Sequence, residues 1–395
     1  MNTSQSPMLS PWLTLLMALA VAISVASNYY APPLLHSIGQ ELHISMERSG
    51  IIVTTAQLSY ALGLLFIAPL GDKIERKKLI VILMLLTTFG LIISALATSP
   101  LMLIIGTAIA GMCSSVAQVL IPFSATLALP EQRGKIVGIL MSGMLLGILL
   151  ARTFAGSVST LVDWRMVYFI AAGIMCLTTL LLYCALPHYH NQSTINYWSL
   201  IISIFALYRH ERVLQVRSLI GGIAFALFSL LWTPLAFLLT NDPYHFSDYL
   251  IGLFGLAGAA GALGSPIVGN LSDKGKGKLV TSIGLVLLLL AWLPLSLAQL
   301  SLIALIVGVI LIDFAVQVTH VSCINAIYQG RPEARTRMNA GYMLSYFTGG
   351  MLGSLGSTYL FAHYGWMAIA ITSCALAVFG LLIWTIYLLT SKAPN

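Results

Sequence analysis

The chain is divided into apolar runs long enough to cross a bilayer, joined by turns of a few residues. The sharpest turn, 68–79, reads A-P-L-G-D-K-I-E-R-K-K-L and sits between the runs 50–70 and 79–98. Asp72, Lys73, Glu75, Arg76, Lys77 and Lys78 crowd into it, in a protein with only 8% charged residues. A backbone in hydrocarbon must satisfy its N–H and C=O groups internally, which leaves helices or closed barrels. The runs approach the roughly 20 residues a helical span needs and lack the polar–apolar alternation of barrel strands. With 58% hydrophobic residues, against about 45–50% in soluble domains, almost no sequence remains for a soluble domain. The expected fold class is an all-α membrane protein.

Twelve transmembrane helices are expected, at 11–35, 49–70, 79–98, 101–128, 134–161, 165–187, 213–240, 247–270, 279–298, 301–328, 336–362 and 365–390. The longest polar stretch, 188–212, reads as a cytoplasmic linker. It separates an N-terminal six-helix bundle, 1–187, from a C-terminal one, 213–395. Within it, 197–207 is apolar enough to lie on the membrane surface but too short to span. The first run is longer than a signal-peptide core and has no Lys or Arg before it, so it is expected to be retained. The five cysteines lie in or beside apolar runs, are odd in number and form no CxxC, and read as small core residues.

Lys and Arg hold loops on the cytoplasmic side. With both termini inside, 16 of the 19 basic residues fall in cytoplasmic turns or tails. Arg48 and Arg165 lie opposite, and Arg152 lies within a span. A bacterial inner-membrane protein with cytoplasmic termini is expected. The net charge of +7 is scattered over short loops with no basic arm, so no nucleic-acid partner is expected.

The two halves repeat. A weaker copy of the charged turn lies at 265–279, S-P-I-V-G-N-L-S-D-K-G-K-G-K-L. E-Q-R-G-K at 131–135 matches E-A-R-T-R at 333–337. Arg133 and Arg335, Gly147 and Gly349, and Trp164 and Trp366 are each 202 positions apart. Duplicated halves with a substrate path between them are a transporter pattern.

The sequence resembles the major facilitator superfamily over essentially its whole length. P-L-G-D-K-I-E-R-K-K is similar to the signature between that family's second and third spans, with Asp72, Arg76 and Lys77 where its acid and bases fall. Ala68 and Glu75 replace two of its usual glycines. The second copy keeps Gly269 and Asp273, with Gly275 one place early. N-Y-Y-x-x-P-L-L at 28–35 and D-W-R at 163–165 resemble the twelve-span drug:proton antiporter branch. That branch's span-five motif is incomplete here: Gly143-x-x-x-Gly147 is followed by Ile148 rather than Pro, and span four has no Arg. The resemblance implies two pseudo-symmetric six-helix bundles and a cavity lined mainly by spans one, four, seven and ten.

Asp313 lies mid-span in an apolar run. A charge at the bilayer centre costs roughly 2.5–3.5 kcal/mol on insertion scales, so it faces a cavity or a partner. Gln317 and His320, at i+4 and i+7, share its helix face. Asp313 reads as a proton or substrate site, the plain alternative being a structural carboxyl bonded between helices. Arg152, deep in span five, could hold an anionic substrate group or pair with a carboxylate such as Asp313; alternatively it locks helices together. Asn28, Tyr29, Gln57, Gln118, Trp232 and Tyr346 are candidates for a substrate cavity suited to amphipathic or cationic organic molecules, although helix packing explains any one of them. Asp72, Arg76, Lys77 and Asp273 are candidate gating residues, the plainer role being orientation alone.

No P-loop, HExxH or Cys/His ligand spacing occurs, so no cofactor, no metal and no enzyme activity are expected. The expected function is proton-coupled efflux of small organic compounds by alternating access. The partners are then a small-molecule substrate, protons and the lipid bilayer, with the protein a monomer. The alternatives are a narrow-specificity metabolite importer or exporter, or a membrane sensor without transport.

Overall fold

The computed structural model describes residues 9–189, 197–262, 276–330 and 334–390. Every element assigned among them is helical. Helix α1, Pro11–Ala26, starts at Ser10, whose hydroxyl accepts the Leu13 N–H at 3.1 Å. Prolines remove N–H donors and break helices. Pro32 and Pro33 stand at the start of α2, Ala31–Glu41, which leaves α1 at 44°. Then come α3, Met46–Phe66, and α4, Arg76–Ala95. Helix α5, Pro100–Cys113, runs through a short 3₁₀ turn into α6, Ala117–Leu127, which carries Pro122. Helix α7 is Arg133–Leu161, and α8, Trp164–Ala185, is capped by Asp163 Oδ1 on the Met166 N–H at 2.8 Å.

The apolar stretch at 197–207 is a helix, α9, Tyr197–His210. Thr233-Pro234 divides α10, Arg212–Trp232, from α11, Leu235–Thr240. Next are α12, Asp248–Ala262, α13, Gly277–Leu290, and α14, Trp292–Ser296. The last are α15, Leu302–Gly330, and α16, Arg335–Thr390.

Among the described residues nine helical segments are long and apolar enough to cross a membrane, or ten if the bent pair α1–α2 is one span. Twelve are therefore not reached by this measure. Two departures explain most of the gap. Helix α16 has 56 residues, about 84 Å at 1.5 Å per residue, against a hydrocarbon core of about 30 Å. It is two helices joined at Gly365, whose φ of 73° is open to glycine without a Cβ clash. Helix α12 is apolar but short, and the residues after it lie outside those described.

Buried apolar side chains form two main cores. One runs from Leu16 to Leu186 with Phe237 added, the other from Leu214 to Trp384. Large apolar side chains such as Leu177, Leu293, Ile371 and Leu389 point outward, as lipid contact requires. The repeated glycines occupy like places. A Cβ on Gly147 would overlap the backbone of Ala22 in α1, and one on Gly349 the backbone of Gly222 in α10. Small residues of this kind let membrane helices approach closely. Trp164 Nε1 donates to Glu41 Oε2 at 2.5 Å, and Trp366 Nε1 to the Leu295 carbonyl at 2.7 Å.

Two seams join the cores. Along the first, α3 meets the start of α16, where Ser354 Oγ donates to the Gly50 carbonyl at 3.2 Å. Along the second, α7 meets α12, and Thr153 Oγ1 donates to the Gly252 carbonyl at 3.0 Å. Helix α9 lies across the ends of α3 and α16. Tyr197 donates to the Phe66 carbonyl at 2.7 Å, and Ile201 and Ile204 pack with Leu65, Ala340 and Leu344.

Candidate functional site

The second seam brings the two intramembrane charges close. Arg152 projects from α7 and is 2% exposed; Asp313 projects from α15 and is 6% exposed. They do not pair with each other. The indole of Trp232, at the end of α10, stands between them. The Arg152 guanidinium lies over the indole face, 3.7 Å from the ring centroid, while Trp232 Nε1 donates to Asp313 Oδ1 at 3.3 Å. The proline break after Trp232 sets the ring at this place, because α10 ends there and its side chain faces the seam. Phe228 and Tyr29 complete the cage around the guanidinium, at 5.2 and 5.5 Å. Such cation–π contacts strengthen when desolvated.

Helix α12 makes room for both charges. A Cβ on Gly258 would overlap Asp313 Oδ2 and stand 3.1 Å from Trp232. One on Gly255 would stand 3.1 Å from Arg152 Cβ. Satisfaction is incomplete: Arg152 Nε and Nη2 and Asp313 Oδ2 are buried without hydrogen-bond partners. Buried polar atoms are ordinarily paired, so these three stand out. A fissure too narrow for water runs beside Arg152, bounded by Pro32, Pro33, Trp232, Leu235, Ala236 and Ile251.

An aromatic ladder climbs away from Trp232 along one face of α10. Phe228 lies 6.0 Å from Trp232, Phe225 stacks on Phe228 at 5.4 Å, and Tyr346 stacks on Phe225 at 4.2 Å. His320 packs on Tyr346 at 4.6 Å, and its Nδ1 is 2.9 Å from the Tyr342 hydroxyl. Asp313, Arg152, Trp232 and Tyr29 thus form one cluster, and His320 and Tyr346 its continuation. Gln317 is half-buried one turn beyond Asp313. Asn28 is turned into the first core, where its Nδ2 donates to Ser114 Oγ at 2.7 Å. Gln57 is buried on α3 and Gln118 half-buried on α6, while the ring of Tyr60 packs on Phe347 across the first seam at 4.6 Å.

The expected gating residues lie elsewhere. The Asp72 side chain and Asp273 fall outside the described residues. Arg76 donates to Thr126 Oγ1 at 2.9 Å and to the Gly71 carbonyl at 3.2 Å, and lies over Phe123 and Tyr189. Lys77 lies 5.2 Å over Tyr183. These contacts stay within the first core and the start of the connecting stretch at Tyr189. Arg217, read as a basic residue of a turn, is buried over Trp384 at 4.5 Å and donates to Thr281 Oγ1.

Sequence reading missed a polar latch at the end of the bundle opposite the termini. Asp248, the first residue of α12, is 9% exposed. Its Oδ2 accepts from Ser37 Oγ of α2 at 2.6 Å and from Ser159 Oγ of α7 at 2.7 Å. The adjacent Tyr249 N–H donates to Thr160 Oγ1 at 2.9 Å. A cavity of about 440 Å³ opens beside it, bounded by Gln40, Glu41, Asp163 and Trp164. Asp248 at the start of an apolar run was the available signal.

Comparison with known proteins agrees with this architecture. The sequence profile described as Major Facilitator Superfamily matches residues 17–332. The chain is 47% identical over 376 residues to uncharacterized transporter YgaY of Escherichia coli O157:H7, covering 95% of each protein. It is 30% identical to a protein of Streptomyces coelicolor named as transporter SCO4007, covering 94% of this chain and 85% of that one. The fold matches a bacterial homolog of the human lysosomal transporter Spinster in its inward-facing, occupied conformation. The TM-score is 0.75 over 96% of each chain, at 15% identity.

Proposed function

From the premise that this multi-pass membrane protein belongs to the Major Facilitator Superfamily, we propose that it is a proton-coupled exporter of small organic compounds working by alternating access. The observation that carries this reading is the Asp313 carboxyl, buried in the seam between the two halves with one oxygen unpartnered. An ionisable group kept in such a place at a desolvation cost is expected to bind something that comes and goes. In this reading that partner is a proton, with Arg152 across the Trp232 indole as the neighbouring charge.

The working unit is twelve spans in two six-helix bundles, 1–187 and 213–395, linked through 188–212. It is a monomer in a bacterial inner membrane with its termini in the cytoplasm. The broken α16 and the short α12 support the count, and the basic turns support the orientation. The Asp248 latch is the gate at the periplasmic end, holding that end closed in this conformation. The charged turns with Asp72, Arg76, Lys77 and Asp273 act at the cytoplasmic end.

The test is reconstitution into liposomes with a pH-sensitive dye inside. Adding a transported compound should move protons across the membrane. Asp313→Asn should abolish that movement while leaving the protein folded. If Asp313→Asn still concentrates substrate against a gradient as well as the wild type, the proton site is elsewhere.

A further inference from the structure

We propose that the substrate is a small zwitterion, held with its anionic group on Arg152 and its cationic group on Asp313. This rests on reading the Arg152–Trp232–Asp313 cluster as the transport site. Two buried side chains of opposite charge would ordinarily neutralise each other. Here an indole holds them apart, stacked under one and bonded to the other. The atoms left over are complementary in kind. Arg152 keeps two unpartnered donors, Nε and Nη2, on adjacent corners of the fork that grips carboxylates bidentately. Asp313 keeps one unpartnered acceptor, Oδ2.

A ligand carrying only an anionic group would leave the carboxylate to be met by a proton, which would then bind with the ligand instead of exchanging for it. One carrying only a cationic group would leave the guanidinium without a counter-charge. An uncompensated buried charge is the costly case, and a ligand with both groups removes it at both ends. Tyr29 beside Arg152 and Tyr346 beyond Phe225 are phenols, uncharged at neutral pH, so neither supplies the missing counter-charge.

Asp313 Oδ2 faces Gly258, where even a Cβ would overlap it, so α12 must draw back before that oxygen can receive an ammonium group. The stacked rings of Trp232, Phe228 and Phe225 offer an apolar wall for the body of the molecule. The ammonium and the proton share one carboxylate, so each excludes the other, as exchange requires.

The experiment uses matched triplets on three scaffolds, with benzyl, indole and branched alkyl side chains. Each triplet is an α-amino acid, its N-acetyl derivative and its amide, so that charge alone varies. Binding to the purified wild type is read by thermal shift and transport by uptake into proteoliposomes. On at least one scaffold the zwitterion should bind at least tenfold more tightly than either singly charged member. Arg152→Gln should erase its advantage over the amide, and Asp313→Asn its advantage over the N-acetyl compound. Arg152→Lys keeps the charge without the fork and should weaken zwitterion binding less than Arg152→Gln does.

Equal or tighter binding of a singly charged member, or no zwitterion bound on any scaffold, overturns the substrate class. If that happens while Arg152→Gln and Asp313→Asn still abolish transport, the site reading survives. If both variants transport normally, the site reading itself fails.

Discussion

Asp248→Asn is the perturbation that most directly tests the latch. The carboxylate receives two hydroxyl donors on one oxygen, from Ser37 at 2.6 Å and Ser159 at 2.7 Å, and both donors belong to the other half of the molecule. A hydrogen bond to a charged group contributes roughly 1.5–3 kcal/mol net, against about 0.5–1.5 kcal/mol for a neutral pair. Asn keeps an amide oxygen for the two hydroxyls, so the substitution removes only the charge-assisted part, about 1 kcal/mol per bond. Two bonds sharing one acceptor fall short of additive, giving a loss of about 1.5–2 kcal/mol, or roughly 10–30-fold in the closed-to-open ratio.

Spin labels at Gln40 and Asp242, both exposed, report the separation at that end by pulsed electron resonance. They require a background without native cysteines, because Cys184 is exposed. If the closed state holds about 99% of the population in the wild type, the Asp248→Asn variant should show a long-distance fraction of roughly 10–25%. An Asp248→Ala variant, which removes both bonds, should open further. Distance distributions that match the wild type in both variants would refute a latch and leave Asp248 a helix-end residue with local partners.

Gly258→Ala places a methyl group against Asp313 Oδ2 and Trp232; transport should fall at least tenfold while the charges remain, and uptake by proteoliposomes measures it. Gly349→Val forces a branched side chain into the Gly222 backbone; overpacking costs about 1–3 kcal/mol, and the melting temperature in detergent should drop by several degrees. Trp366→Phe removes the bond to the Leu295 carbonyl and leaves that buried acceptor unpaired, a cost of about 1–3 kcal/mol that the same melting assay reads.

The membrane character and the duplication were legible because both depend on composition and spacing. Gly147 and Gly349, found by a constant offset, pack on matching neighbours. Asp313 and Arg152 were legible because charge within a span is rare. Their relation was not, since it depends on which helix faces meet and on the rotamer of Trp232. Trp232 stood out as a cavity candidate, but Phe225 and Phe228 share with it the i, i+3, i+7 period of any buried helix face, so the ladder they form with it did not show. Asp248 sat at the edge of the span expected at 247–270, and the sequence does not reveal the hydroxyls of Ser37 and Ser159 that meet it. Arg217 was counted with a basic turn because sequence does not reveal the indole of Trp384 that covers it.

Helix α9 grips the two halves unequally. On the first half Tyr197 donates to the Phe66 carbonyl, and Ile201 and Ile204 pack on Leu65. On the second, Tyr208 bonds to Ser345 Oγ at 3.0 Å, Gln215 of α10 reaches back to the Tyr208 and Arg209 carbonyls, and Gly341 packs against Ile204 and Tyr208. When the bundles part at this end, the strap should travel with the second half and peel from the first at Phe66. In the alternating-access reading, the chain between α8 and α9 would then limit how far the two halves can part there.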